Sequence, residues 1–230
     1  MAESLVGSEI IKLSGEIKAL QAQGRNIHNF TIGDFDPEIF PIPTELEDAI
    51  VHAYQQKHTN YPAANGMAGL RKELSRFIEE RQGLVYGADS FLVAGGARPL
   101  IHAIFQAVVN PGDEVLFPVP SWNNNHYTHL AHAKQVMVET TPETNFMPVL
   151  EQLQPHLSTA RLVALCSPLN PTGTVFGAAE LKAISEAVLA ENMRRGPENP
   201  LYIMFDQIYW TLCYGDNKHV DPVSLVPEMR

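Results

Sequence analysis

The chain alternates between two hydrophobic periods. Ile10, Leu13, Ile17 and Leu20 recur at helical spacing with Gly24 as a stop, which predicts an amphipathic helix that opens the chain as an arm. Asn29 to Pro37 is a short strand-like run broken by Gly33 and Pro37. Thr44 and Glu47 have capping-box spacing ahead of Leu46, Ile50 and Tyr54, so a second helix is expected there. After a break at Tyr61 to Gly66, Leu70, Leu74, Phe77 and Ile78 predict a third helix that ends near Gly83. From Phe91 the texture becomes strand, glycine turn, helix: Phe-Leu-Val-Ala-Gly-Gly-Ala-Arg-Pro99, then Leu100, Ile101, Ile104, Phe105 and Val108 at helical spacing. Further strands are read at Val115 to Phe117, Gln135 to Glu139, Arg161 to Cys166 and Leu201 to Asp206, with a helix marked by Leu181, Ile184 and Val188 between the last two. Strands alternating with helices predict an α/β fold built on a doubly wound sheet.

The run Leu201 to Phe205, entered through Pro200, reads as a strand buried on both faces with Asp206 at its carboxyl end. Ligands of open α/β sheets sit against the carboxyl ends of the strands, and a carboxylate there is badly solvated unless a cation meets it. Asp206 and Tyr209 therefore either face a ligand together or form a turn cap and a core phenol. The turn Gly95-Gly96-Ala97-Arg98 ahead of a helix offers free N–H groups and the positive end of a helix dipole, an anion site if it is more than a tight turn. It lacks the three spaced glycines of a dinucleotide fingerprint. Trp122, just past a strand, either offers a flat face to a planar ring or packs. Asn170 lies between Pro168 and Pro171, which restrict the backbone that aims its amide. His126, His129 and His132 share a spacing of three, but no acidic or cysteine partner stands at ligand spacing, so no metal site is expected.

Composition narrows the classes. The 230 residues are 45% hydrophobic and carry a formal net charge of −10, enough for a sizeable core and the wrong sign for a nucleic-acid surface. Two cysteines, Cys166 and Cys213, suit a reducing compartment. With no signal peptide or membrane-length apolar run in view, a soluble cytoplasmic protein without membrane partners is expected.

In chain order, Gly-Ala-Arg, Pro-Gly-Asp-Glu-Val, Pro-Ser-Trp, Asn-Pro-Thr-Gly and Asp-x-x-Tyr resemble the class I/II aminotransferases of the fold-type I pyridoxal-phosphate enzymes. The resemblance spans most of the chain. It implies the three-layer, mostly parallel sheet of that family's large domain and pyridoxal 5'-phosphate as cofactor. The backbone at Gly96, Ala97 and Arg98 would hold the phosphate, Trp122 would stack on the pyridine, and Asn170 and Tyr209 would bond the ring oxygen. Asp206 would pair with the ring nitrogen. Ile32 and Gly33 resemble the segment that closes over the substrate, and Tyr61 the tyrosine that reaches a neighbouring subunit's phosphate, which implies a homodimer. The substrates implied are an amino acid and a 2-oxo acid.

The resemblance also sets expectations about extent. A Schiff-base lysine in a Ser-x-Ser-Lys-like context, and later a carboxylate-binding arginine, are expected beyond Tyr209, but the sequence stops at Arg230. Lys218, in a polar Gly-Asp-Asn-Lys-His loop, reads as solvated surface, and Gln207 stands where the family commonly has Glu. The family's sheet also interposes two later strands beside the one ending at Asp206. The chain is therefore read as the amino-terminal part of a longer protein, with 1–43 an arm and part of a small domain and 44–230 a cofactor-binding domain incomplete at its C-terminus. A β-eliminating lyase of the same fold and a non-catalytic aminotransferase-like ligand-binding domain stay open. A dinucleotide oxidoreductase would leave Trp122, Asn170 and Tyr209 without a shared task.

Overall fold

The computed structural model describes residues 7, 9–31, 33 and 35–230. The chain divides into two compact units, Met1–Pro62 and Ala63–Arg230. The first holds α1 (Glu9–Ala22) and α2 (Thr44–Gln55). Gly24, at φ 82°, ends the turn after α1 as expected. The capping box does not form. Pro43, not Thr44, occupies the N-cap of α2, and its carbonyl accepts both the Leu46 and the Glu47 N–H, so the amide that Thr44 would have capped is already used. Among the described residues of 29–37 there is no strand, and Phe30 is exposed.

The second unit holds α3 (Ala68–Gln82), α4 (Ala97–Val108), β1 (Glu114–Val119), α5 (Asn124–Leu130), β2 (Lys134–Glu139), α6 (Leu150–Leu157), β3 (Ala160–Cys166), α7 (Ala178–Arg195), β4 (Tyr202–Asp206) and α8 (Pro222–Leu225). The strands form one sheet in the order β2-β1-β3-β4, and each adjacent pair is parallel. Alternation along the strands sends side chains to two cores. Val115, Phe117, Leu162, Ala164 and Met204 pack with Phe105 and Val109 at α4 and with Ala131 after α5. Leu116, Val163 and Leu165 pack on the other face with Leu153 and Leu157 of α6 and Leu181, Ile184 and Val188 of α7. Helices therefore cover both faces, the three layers of a doubly wound fold. Truncating a side chain such as Phe105, fully buried here, costs about 3–5 kcal/mol in comparable cores.

Two expectations for this unit fail for a common reason. Phe91 to Ala94 is extended but belongs to no strand ladder; Val93 donates to Asn65 at 3.2 Å instead. Gly66 makes that approach possible, since a Cβ there would lie 2.7 Å from the Val93 Cβ. Strand β4, in turn, is not buried on both faces: Tyr202 is 39% exposed, and among the described residues β4 pairs only with β3. A strand ladder needs a neighbour, and neither segment finds a second one here. A smaller difference is that β1 runs on through Pro118 to Val119. Its pairing to β3 ends at Leu116, while the pairing to β2 continues to Glu139, so the imino acid sits where one side of the strand has already left the ladder.

At the amino ends of the strands Arg161 ties three elements together. Its Nε donates to the Val108 carbonyl at 2.8 Å and its other arm to the Asn199 amide oxygen and the Pro200 carbonyl at 3.1 and 2.9 Å. The opposite, carboxyl ends of β1, β3 and β4 open into loops.

Candidate cofactor site

Gly96 is the N-cap of α4 at φ 111° and ψ 172°, a conformation essentially reserved for glycine. It turns the chain abruptly into a helix whose first amides have no intrahelical acceptor, and Pro99 at the third helical position removes one of those donors at no cost. Arg98 lies here with its guanidinium 5.9 Å from the Trp122 ring centroid, a cation–π contact that orients the indole at the end of β1.

The loop after β3 is framed by its own backbone: Leu169 donates to Thr174 at 2.8 Å and Gly173 to Leu169 at 2.7 Å. The Ser167 hydroxyl, wholly buried, accepts the Phe176 N–H at 3.2 Å. That frame presents Asn170, whose amide nitrogen lies 3.5 Å from the Tyr209 hydroxyl. At this distance the two groups are neighbours aimed at the same region more than a firm pair, and an oxygen between them could bond both.

Asp206 closes the set. Its backbone is locked between Cys166, its partner in the parallel register, and the Ser167 N–H, which donates to the Asp206 carbonyl at 3.0 Å. Its side-chain Oδ1 accepts the Ile208 N–H at 3.0 Å, and among the described residues it forms no ion pair. Burial pushes its carboxyl above the usual range, against the smaller opposing pull of the Ile208 amide. A shallow groove of about 210 Å³ runs between Ala97, Leu100, Ile101 and Ile104 of α4 and residues Met204 to Ile208. Apolar walls, a half-buried carboxylate and a helix N-terminus therefore meet at one sheet end, as ligand crevices of open sheets do.

Sequence reasoning missed Tyr127. It packs on Phe105 at 5.6 Å from α5, and its phenol is raised by burial first, lowered by Arg98 and raised again by Asp206, so it stands in the field of both. Its position depends on α5 folding back onto α4, which no local pattern announces. Gly33 and Tyr61 belong to the first unit, Tyr61 being 99% exposed, and Ile32 lies outside the described residues. Lys218 is exposed. His126 and His129 lie on α5 and His132 in the turn after it, and among the described residues no group of three side chains could hold a metal.

The family model for aminotransferase class I and II matches residues 25–229. The chain belongs to the class I and II aminotransferase family. It is 32% identical over 229 residues to an aspartate aminotransferase of Geobacillus stearothermophilus, covering 99% of this chain and 56% of that one. It is 27% identical over 224 residues to an asparagine–oxo-acid transaminase of Streptococcus mutans, covering 96% of this chain and 54% of the relative. Among solved structures, an aspartate aminotransferase from Thermus thermophilus with maleate superposes with a TM-score of 0.88 at 27% identity over 99% of this chain and 57% of that one. This aminotransferase chain thus spans somewhat more than half the length of the curated relatives it matches.

Proposed function

We propose that the protein to which this chain belongs is a pyridoxal-phosphate-dependent aminotransferase that moves an amino group between an α-amino acid and a 2-oxo acid by a ping-pong cycle. The observation that carries the reading is Asp206: a half-buried carboxylate at a strand's carboxyl end, with one oxygen held by a backbone amide and the other left for a cation. The donor set fits the family's cofactor. The open amides of Gly96, Ala97 and Arg98 at the start of α4 suit its phosphate, the Trp122 face suits its ring, and the Asn170 amide and Tyr209 hydroxyl suit its ring oxygen. Bound there, pyridoxal phosphate supplies an electron sink for the electron pair released at the substrate's α-carbon.

The chain's own residues then have definable tasks. Asp206 would pair with the ring nitrogen and favour its protonated form, because a nearby opposite charge favours the charged form. Arg98 steadies Trp122, whose face would pack on the ring. Asn170 and Tyr209 would hold the ring oxygen through the amide and the hydroxyl. The apolar face of α4 lines the groove. Gly33 and Ile32 belong to the segment assigned to the substrate, and Tyr61 to the phosphate of a second subunit, so the working form is a homodimer. Residues 1–43 act as arm and part of a small domain, and 44–230 as the cofactor-binding domain. Unpaired Cys166 and Cys213 suit the cytoplasm, and among the described residues no helix is long and apolar enough to cross a membrane.

The test is single-turnover reaction of the complete, cofactor-loaded protein with a panel of amino acids, followed by regeneration with 2-oxo acids. Stoichiometric conversion in both half-reactions supports the reading. Release of ammonia from β-substituted amino acids without conversion of 2-oxo acids would replace it with a lyase.

A further inference from the structure

Gln207 follows Asp206 and, by strand alternation, extends the other face of β4, the face of Phe205. Its amide nitrogen donates to Asp221 Oδ2 at 2.7 Å, and its amide oxygen meets His219 Nε2 at 2.5 Å. Asp221, 7% exposed, is itself fixed, since its other oxygen accepts the Val223 N–H at 2.7 Å as the N-cap of α8. The His219 ring is held 6.1 Å from Phe205 and 6.2 Å from Trp210. Because the carboxylate takes the amide N–H, the amide must present its oxygen to His219, and the imidazole donates through Nε2. His219 Nδ1 is then a buried lone pair with no partner, which a neutral ring tolerates and a protonated ring does not.

We propose that Gln207 is a positioning residue for Asp206. Its side chain, held at both ends, fixes the peptide from which the Ile208 N–H reaches Asp206 Oδ1, and so sets which carboxylate oxygen faces the ring nitrogen. This rests on the reading of Asp206 as the cofactor's partner. The ionisable groups around the network are Asp221 and His219, Asp206 on the opposite face, and Tyr86, which feels Asp221 and carries Arg230 4.4 Å above its ring.

Two substitutions in the complete, cofactor-loaded protein test it. Gln207→Leu cannot bridge Asp221 and His219. The expected result is a kcat about tenfold lower at every pH, the size of one lost buried hydrogen bond, with KM for the amino acid little changed and the circular dichroism band of the bound cofactor altered. Gln207→Glu is isosteric but needs a proton to donate to Asp221. It should match the wild type near pH 5, where the new carboxyl holds that proton. It should fall about tenfold behind as pH rises and two carboxylates are left at hydrogen-bond distance. A role confined to stability would lower the thermal midpoint and leave the pH profile and the dichroism of the folded protein unchanged; that result overturns the proposal. If Gln207→Leu does not fold, the Gln207→Glu profile decides alone, a flat ratio to wild type counting against the proposal. Asp206→Asn run in parallel separates the two levels. No change in the cofactor's spectrum there would remove the underlying reading, whereas a large change there with none at Gln207 would remove only this one.

Discussion

Asp206 is half-buried, and this makes two opposite demands on one side chain. Burial raises its carboxyl, so the folded state keeps the proton to higher pH than the unfolded chain does. The sign follows. Without a cation opposite it, the group lowers stability as pH rises from the unfolded value, about 3.9, through the raised folded one. Cofactor-free Asp206→Asn should therefore lose less stability than the wild type between pH 4 and pH 7, measured as the change in thermal midpoint. The same variant loaded with cofactor should react with amino acids at least about a hundredfold more slowly, the scale on which removing one preorganised electrostatic group acts. Cys166 shares the setting. Burial, then Asp206, pushes its thiol up to about 12, so it should resist iodoacetamide at pH 8 in the folded protein and react once the chain is unfolded. Asp206, Trp122, Asn170 and Tyr209 were legible in the sequence because each follows a strand-like run or a proline-bounded turn. The contacts of Tyr127, Gln207 and His219 were not, because they depend on partners that other elements bring.

At the scale of elements, α4 carries the most weight, since its first turn is the expected phosphate cradle. Gly96 has open space around it, yet its φ of 111° excludes a side chain on torsional grounds alone. Gly96→Ala should cost about 1–3 kcal/mol of stability and weaken phosphate binding at the same time, seen by titrating the variant with pyridoxal phosphate and by chemical unfolding. Helix and strand periods marked α1, α3, α4, α7 and all four strands of the sheet with only their ends in error. What failed were readings that needed a partner. The Thr44 cap was lost to the Pro43 carbonyl, and Phe91 to Ala94 kept its extended backbone without a ladder. A local pattern specifies conformation, whereas pairing depends on what lies alongside.

Among the described residues the sheet is left with an open edge at β4. Among the described residues β4 has one ladder partner, and Ile104 and Ile208, which line the groove beside it, expose 38% and 57% of their surfaces. Open apolar edges recruit other chains. A polypeptide of residues 1–230 expressed alone should self-associate and unfold without one sharp transition; a monodisperse species with cooperative unfolding would show that this edge is stable as it stands. Size exclusion and calorimetry decide between them. The central claim is that the Asp206 end of the sheet holds the cofactor's ring nitrogen as a cation. It is tested most directly by the ¹⁵N chemical shift of pyridine-labelled pyridoxal phosphate bound to the complete protein. A protonated ring nitrogen in the wild type and an unprotonated one in Asp206→Asn is the result expected. The same shift in both proteins would contradict the assignment.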